Sequence, residues 1–553
     1  MKTKYKFKDN LLKYWSVYLF LFVTILQKEI NYLFYDSFLT PDLDVYLPYF
    51  NYFFDGEMVY REQGILYYYL HALNYNFFYS KFGFLDIFIH KSIQQVNFYI
   101  YIFGLIGMYK LFSFLKINVN TIFLTFTFLN LFPPSIAMRL AFKPELLAFA
   151  LLTWVIYMLE KYKTTNDTKL LLYLIPFIAS ILTLKGNILV IVAIYLSISY
   201  YKLIFNNLQK TTILIFLLFL VNLSFVYLEN FSVTNKNILD TQSGSTLEEN
   251  YNYKASPSVI YKTKLFKLFT SPIKHNHANS FIAITLLETN GDYFDLFWDN
   301  DASMFLKNRI EFISFEESKK ITPPKLESKP LKLVIFQQKL TDVYLYESIG
   351  LILSIYIFYL LFKLIIYDKS FIRFYLAIFV GIAILLINAI TGFPRNNFDP
   401  LVGDTFKPLY YSFVFIFSFS FVIARGIELK IIKKYQLLIY CIFIILLLGF
   451  PKNYTYEIQS QLVPKIQNSI FCEIEKSIYL ENSDYETLDC VTSQSIFEEV
   501  GRDFIYKPVN LINLVLILLI SIKLLRKNSY LEDSNSLFSI KKIKQKYKAK
   551  LAK

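Results

Sequence analysis

The chain has 553 residues, of which 55% are hydrophobic and 19% aromatic, with a net charge of +14. Its mean hydropathy of +0.40 exceeds that of soluble globular proteins and predicts an integral membrane protein. Apolar stretches of about 20 residues recur, which is the length of a membrane-crossing helix. The pattern excludes a β-barrel, whose strands are short and alternate in polarity. The basic residues concentrate in short connections and the tail, so the positive-inside rule explains them without nucleic acid as a partner.

The hydrophobic segments predict an all-α polytopic membrane protein with about 12 transmembrane helices. The basic N-terminus precedes the first segment, and no small-residue cleavage site follows it, so we expect a retained signal anchor with its N-terminus in the cytoplasm. An even number of spans returns the Lys-rich tail to the cytoplasm. The segments are 11–27, 92–115, 121–138, 146–159, 169–185, 187–205, 211–228, 343–366, 371–391, 409–425, 435–450 and 509–525.

This topology places every long loop on the outer face of the cell (inner) membrane. That face is periplasmic or extracellular. Long loops are usually functional or disordered, and four of them on one face favour a protein that works on that face. Cys472 and Cys490 share one outer loop, where an oxidising compartment would allow a disulfide between them. The predicted regions are an N-terminal transmembrane module (1–228) with a catalytic first outer loop (28–91), a large outer loop (229–341), a second transmembrane module (342–450), an outer loop (451–508), and a last helix with a basic cytoplasmic tail (509–553).

Two carboxylates, Asp42 and Asp44, lie just beyond the first hydrophobic segment among apolar and aromatic neighbours. Carboxylates are costly at membrane depth, so acids at its rim tend to be solvated, paired, metal-bound or catalytic. Two interpretations stay open. The acids belong to a catalytic site, or they form the water-facing side of an interfacial helix.

The first outer loop resembles that of GT-C type membrane glycosyltransferases, which use sugars linked to polyprenyl phosphates. In that family an Asp opens an interfacial helix, a Tyr follows about four residues later, a Gly closes the helix, and a Tyr-Arg pair precedes a stretch with two prolines and two tyrosines. Asp42, Tyr46, Gly56 and Arg61 stand at the corresponding positions. The chain departs from the family at Gln63-Gly64-Ile65, where the prolines are missing.

Further segments resemble the same family in the same order, so that the resemblance covers roughly residues 11–425. Residues 139–145 are similar to a turn with basic and acidic side chains between the third and fourth spans. Residues 288–298 include Asp292 and Tyr293 and are similar to a Gly-Asp-Tyr-aromatic patch of some bacterial members. Residues 403–410 resemble the basic entry to a late span.

The resemblance implies hexosyl or pentosyl transfer from a polyprenyl-phosphate carrier to an acceptor hydroxyl of a glycan, lipid or protein at the outer face. Such transfer needs a base near the acceptor and positive charge or a metal near the departing phosphate. Asp42 is the expected base, and Asp44 is a second acid, metal ligand or acceptor anchor. If the reaction needs a divalent metal, Mg or Mn, both would bind it. The expected substrate contacts are Tyr46, Arg61, Glu145, Asp292 and Tyr293.

Five cations are predicted near the outer boundary, where the positive-inside rule does not place them. They could bind the phosphate of the lipid-linked donor, or they could extend to the headgroups of membrane lipids. Glu145 could pair with one of the two cations nearest to it in sequence, Arg139 or Lys143. The five are Arg139, Lys143, Lys185, Arg395 and Lys407.

Two other functions are compatible with a membrane chain of this kind. A glycan flippase or exporter would need polar residues inside several spans and a continuous path, and the spans contain few charged residues. A polysaccharide polymerase or ligase would depend on arginines of the large loop, such as Arg309. The oligomeric state does not follow from the sequence. The aromatic run Tyr67, Tyr68, Tyr69, Tyr75, Phe77, Phe78 and Tyr79 predicts a belt at the membrane interface first and a surface for stacking sugars second.

Overall fold

The structure is a computed structural model. It describes residues 15–34, 63–78, 86–206, 210–234, 256–263, 265–270, 272, 277, 280–290, 340–391, 411–433, 435–437, 439–442 and 508–527. Secondary structure in these ranges is helical, apart from one isolated antiparallel bridge between Gln63 and Lys185. The all-α prediction is therefore confirmed for the described part of the chain.

The α-helices are numbered in chain order. They are α1 (Trp15–Phe34), α2 (Leu66–Phe78), α3 (Asp86–Phe114), α4 (Val119–Leu131), α5 (Pro133–Leu140), α6 (Glu145–Thr165), α7 (Lys169–Leu182), α8 (Gly186–Asn206), α9 (Lys210–Thr234), α10 (Leu265–Thr270), α11 (Phe281–Asn290), α12 (Leu340–Tyr367), α13 (Ile372–Thr391), α14 (Ser412–Glu428) and α15 (Pro508–Lys527). Short 3₁₀ helices occupy Pro257–Ile260 and Lys369–Phe371.

Six stretches within the described residues are long and apolar enough to cross a membrane. A seventh would be the pair α4 and α5, which meet at a bend of 63°. The helices therefore fit a helical membrane protein, whereas the number of twelve spans stays a prediction. The six stretches are Lys91–Phe114, Gly186–Leu203, Thr211–Phe231, Glu347–Tyr367, Lys369–Thr391 and Val509–Arg526.

Helix α6 lies at the centre of the main core, with nearly all of its length buried. It packs closely against α3, because Gly107 of α3 leaves room for Thr153 and Trp154 of α6. A Cβ atom on Gly107 would lie 2.5 Å from Thr153 Oγ1. Trp154 Nε1 also donates to the Phe103 carbonyl at 3.2 Å. Small residues at such contacts let helix backbones approach, which is how helices associate in a lipid environment.

The carboxylates of Glu145 and Glu160 lie near the two ends of α6, about 22 Å apart along the helix. At the Glu160 end, Arg373 Nη2 donates to Glu160 Oε2 at 2.7 Å, and Arg425 Nε donates to Asp368 Oδ2 at 2.6 Å. These pairs join α6, α13, α14 and the connection between α12 and α13. The sequence predicts that the connections between these segments are cytoplasmic. Which end of the bundle faces the cytoplasm stays a prediction.

The Glu145 end gathers segments that border the predicted outer loops. Here the carboxylate of Glu229, near the end of α9, binds the beginning of α15. Glu229 Oε1 accepts from the Val509 N–H at 3.2 Å, and Oε2 accepts from the Asn510 N–H at 2.8 Å. A carboxylate at this position satisfies backbone donors that have no partner within the helix. Helices α9 and α15 are thus joined at the Glu145 end.

Candidate functional site

The break between α4 and α5 determines the position of Arg139. Pro133 and Pro134 have no backbone N–H, so a continuous helix could not bond to the carbonyls of Leu129 and Asn130. Arg139 Nη2 donates to the Asn130 carbonyl oxygen at 2.5 Å. The guanidinium thus replaces the hydrogen bond that Pro134 cannot form.

Arg139 is a buried cation, with only 3% of its surface exposed. Its guanidinium carbon lies 4.7 Å from the centre of the Tyr101 ring, and its Nε donates to the Ser135 carbonyl at 3.2 Å. Among the described residues, no carboxylate forms an ion pair with it. Burying a charge without an opposite charge is costly. The charge of Arg139 is therefore compensated, among the described residues, by backbone carbonyls and an aromatic ring and not by an opposite charge.

Glu145 is the first residue of α6 and is fully buried. Its Oε1 accepts from Lys185 Nζ at 2.9 Å, whereas its Oε2 has no hydrogen-bond partner among the described residues. The sequence suggested Arg139 or Lys143 as its partner, but the ion pair is with Lys185. Lys185 comes directly before α8, so the fold brings together residues that are 40 positions apart. The helix N-terminus favours a negative charge at Glu145 as well.

Gln63 and Gly64, within the predicted first outer loop, attach the chain to this region. Gln63 forms the bridge with Lys185, and the Gly64 N–H donates to the Leu184 carbonyl at 2.9 Å. A Cβ atom on Gly64 would lie 1.9 Å from the Thr183 carbonyl oxygen. No side chain fits in that space, so the position requires glycine. The tripeptide that departs from the GT-C pattern is therefore the point where the loop is fixed to the turn between α7 and α8.

Helix α2 continues this attachment through hydrogen bonds to the turn between α5 and α6. Tyr67 Oη donates to Asn97 Oδ1 at 2.7 Å. Asn97 Nδ2 donates in turn to the carbonyls of Arg139, at 3.0 Å, and Ala141, at 2.9 Å. Burial raises the pKa of the Tyr67 hydroxyl well above its ordinary value, so this group stays a donor. Asn97 was not predicted as a site residue, although the side-chain amides within this apolar span, Gln94, Gln95 and Asn97, are the signal that could have identified it.

His71 of α2 is fully buried between aromatic rings. Its ring stacks on Phe142 at 5.0 Å and meets Tyr67 edge-on at 4.4 Å. Neither ring nitrogen has a hydrogen-bond partner among the described residues. Removal from water lowers the pKa of His71 to about 3. The imidazole is therefore neutral at ordinary pH.

The prediction of an aromatic belt is wrong for most of α2. Helix α2 packs against α3, and its tyrosines belong to the protein core. The fully or nearly fully buried ones are Tyr67, Tyr68, Tyr69 and Tyr75. Phe77 and Phe78, at the end of the helix, are exposed.

The structure brings four of the predicted site residues to the Glu145 end: Arg139, Lys143, Glu145 and Lys185. Lys143 is buried in the turn between α5 and α6. Helix α11 packs against α5 and α12 and ends at Asn290, just before the Gly-Asp-Tyr segment of the sequence. The other predicted residues lie outside the described ranges: Asp42, Asp44, Tyr46, Arg61, Asp292, Tyr293, Arg309, Arg395, Lys407, Cys472 and Cys490.

The described residues contain no group of three or more His, Cys, Asp or Glu side chains that could hold a metal ion. Because Asp42 and Asp44 lie outside those residues, a Mg or Mn site there stays a prediction. No protein-family model, curated protein or solved structure matches this chain.

Proposed function

We propose that the protein is a membrane glycosyltransferase that moves a sugar from a polyprenyl-phosphate carrier to an acceptor hydroxyl at the outer face. The observation that carries the proposal is Arg139, a buried cation without a carboxylate partner in the described structure. It lies in α5, the second part of the broken helix α4–α5, at the end where the predicted first outer loop is attached. Non-helical backbone at membrane depth is tolerated where protein covers it, and such breaks often form sites for ions and substrates.

The chemistry needs positive charge at the phosphate side of the reacting carbon. As the bond between the anomeric carbon and the phosphate oxygen breaks, that oxygen takes the electron pair and gains negative charge. Arg139 would stabilise this charge, and Lys143 in the following turn would add a second cation. Asp42 would accept the proton of the acceptor hydroxyl, whose oxygen attacks the anomeric carbon with inversion.

A lipid carrier is the proposed donor because nucleotide sugars are cytoplasmic, whereas the proposed site lies on the predicted outer face. The lipid-linked donor would enter sideways between helices, so that its phosphate reaches the Glu145 end from the membrane. The Glu145–Lys185 pair would hold α6 and the turn before α8 in place beside it. Lys185 thus has a structural partner in addition to its predicted role at the phosphate.

The test compares envelope glycans and lipid carriers by mass spectrometry in cells with the wild-type chain, no chain, or Asp42→Asn at equal membrane levels. We expect one sugar to be lost, and its polyprenyl-phosphate donor to accumulate, in both defective strains. Asp167→Asn is the matched control, because it removes one carboxylate in the connection between α6 and α7, at the Glu160 end.

An unchanged sugar inventory without the chain would contradict the proposal. Normal transfer by Asp42→Asn, combined with complete loss in Arg309→Gln, would instead indicate a polymerase or ligase. Loss only in the strain without the chain would reject Asp42 as the base.

A further inference from the structure

A short piece of the predicted large outer loop packs on the bundle with one side and is exposed on the other. It consists of the 3₁₀ helix Pro257–Ile260, the residues that follow it, and helix α10, and we call it the 257–270 segment. Val259 belongs to a buried cluster with Ala389 of α13, and Leu268 belongs to a second one with Leu351 of α12. The segment is thus held against two long apolar helices.

These two clusters determine the height of the segment on the bundle. Ala389 lies at the end of the apolar stretch Lys369–Thr391, and Leu351 lies near the beginning of Glu347–Tyr367. Helices α12 and α13 are connected at the Glu160 end, so both clusters lie at the opposite end. If the two stretches cross a membrane, the 257–270 segment lies at the level of its surface.

The exposed side of the segment carries large apolar side chains. Phe266 is 83% exposed, more than any other large apolar side chain of the described residues, and Phe269 is 57% exposed. The two are three positions apart and therefore share one face of α10, whereas Leu268 faces the bundle. Ile260 and Tyr261 are exposed as well. Such a group of apolar side chains indicates a contact surface.

The same segment is basic. Lys262 and Lys267 are exposed, and neither forms an ion pair with a carboxylate of the described residues. Residues 250–287 contain five lysines and no Asp or Glu. In the helices beneath the segment, Glu288 of α11 and Glu347 of α12 are buried. The charge of the exposed side is therefore complementary to an anionic surface.

We propose that the 257–270 segment lies on the surface of a membrane that contains anionic phospholipids. Phe266 and Phe269 enter the boundary between headgroups and acyl chains, and Lys262 and Lys267 contact the lipid phosphates. Tyr261 stays among the headgroups, where water reaches it. Segments that lie on membranes combine apolar and basic side chains in this way. The proposal does not depend on the sugar-transfer activity.

The height of the segment favours a membrane over a soluble protein or a glycan as the partner. A surface for a soluble partner would project into water, whereas Phe266 and Phe269 follow a residue cluster at the boundary of two membrane-crossing stretches. The exposed lysines also lie on the predicted outer side, where the positive-inside rule does not place them.

The experiment measures the depth of a fluorescent probe on the full chain in vesicles of phosphatidylcholine, alone or in an equimolar mixture with phosphatidylglycerol. In a chain with its three cysteines changed to serine, the fluorophore is attached to Phe266→Cys. Thr165→Cys, an exposed position at the Glu160 end, is the matched control. We expect quenching by spin-labelled lipids to be at least about twofold stronger at Phe266→Cys.

The two lysines are tested in the labelled Phe266→Cys chain. Phosphatidylglycerol should increase the quenching, and Lys262→Gln/Lys267→Gln should abolish this increase, because the attraction to anionic headgroups is lost. Lys262→Arg/Lys267→Arg keeps both charges and should retain it, which separates loss of charge from misfolding. Lys369→Gln/Lys433→Gln removes two exposed cations at the Glu160 end and should retain it as well.

Three results would overturn the proposal. The first is equal quenching by lipid at Phe266→Cys and Thr165→Cys, with equal access of aqueous iodide to both, which would leave the surface to a soluble partner. The second is an unchanged effect of phosphatidylglycerol in Lys262→Gln/Lys267→Gln. The third is an equal loss of that effect in Lys369→Gln/Lys433→Gln, which would show a general attraction of the basic protein to the vesicle.

Discussion

Buried polar side chains at the Glu145 end differ in which contacts compensate the free-energy cost of removing them from water. Glu145 has both a cation and a helix N-terminus as partners, whereas Arg139 has backbone carbonyls and an aromatic ring. Among the described residues, His71 contacts aromatic rings and has no hydrogen-bond partner. An unsatisfied buried polar group costs about 1–3 kcal/mol. His71 is thus the residue whose burial is least compensated among these three, and its effect should be measurable.

His71 should make the stability of the protein depend on pH. The unfolded chain binds a proton at His71 below about pH 6.5, whereas the folded chain does so only below about pH 3. As pH falls through this window, the free energy of unfolding should decrease by about 1.4 kcal/mol per pH unit from this group. At pH 5 the loss relative to pH 7.5 would be about 2 kcal/mol. Denaturant unfolding in detergent at both pH values measures it.

Two substitutions separate the titration of His71 from its polarity. His71→Gln keeps a polar side chain and His71→Phe removes it, and neither can take up a proton. Both should show a smaller loss of stability between pH 7.5 and pH 5 than the wild type. His71→Phe should also be the more stable of the two, because it leaves no buried polar atom unsatisfied. An equal pH dependence in all three chains would mean that His71 is protonated in the folded protein.

At the scale of single elements, the bend between α4 and α5 depends on cooperation between Pro134 and Arg139. Arg139→Gln should lower the free energy of unfolding by about 1–3 kcal/mol, because the Asn130 carbonyl loses its donor. A Pro134→Ala background supplies a backbone N–H as an alternative donor to that carbonyl, so we expect the same substitution to cost less. A double-mutant cycle measures the difference.

Arg373→Gln in the same two backgrounds is the control for that cycle. Arg373 is bound to Glu160 at the other end of α6, so its cost should be the same in the wild-type and the Pro134→Ala background. If Arg139→Gln lowered the free energy of unfolding equally in the wild-type and the Pro134→Ala backgrounds, the guanidinium would stabilise the bend by some other contact.

The elements show which parts of the fold a sequence can predict. Apolar length identified the long helices, because membrane-crossing helices must be long and apolar whatever their neighbours are. The aromatic run of α2 was misread, because composition does not tell whether tyrosines face lipid or pack against α3. The Glu145–Lys185 pair was missed because it joins the first residue of α6 to the turn before α8, and these approach only in the folded chain. Gly64 has a role only through its contact with Thr183, which no local pattern reveals.

At the scale of the whole molecule, the polar contacts divide between two ends of a largely apolar bundle. The Glu160 end has ion pairs that fix helices to one another, and the Glu145 end has a cation without a carboxylate partner in the described structure. Between the ends the helices meet mainly through apolar and aromatic side chains. Both ends fix helices to one another, since Glu145 pairs with Lys185 and Glu229 binds the beginning of α15. The ends differ in the charge of Arg139, on which the proposed function rests.

The division also gives a test of orientation, on which the choice of donor depends. Asp167 lies in the connection between α6 and α7 at the Glu160 end. Tyr261 is exposed beside Pro257–Ile260, whose Val259 packs with Ala389 near the opposite end of α13. In a chain with its three cysteines changed to serine, a membrane-impermeant maleimide should label Tyr261→Cys in intact cells and Asp167→Cys only after permeabilisation. The reverse pattern would place the Glu145 end in the cytoplasm, where nucleotide sugars are present, and would remove the reason for proposing a lipid-linked donor.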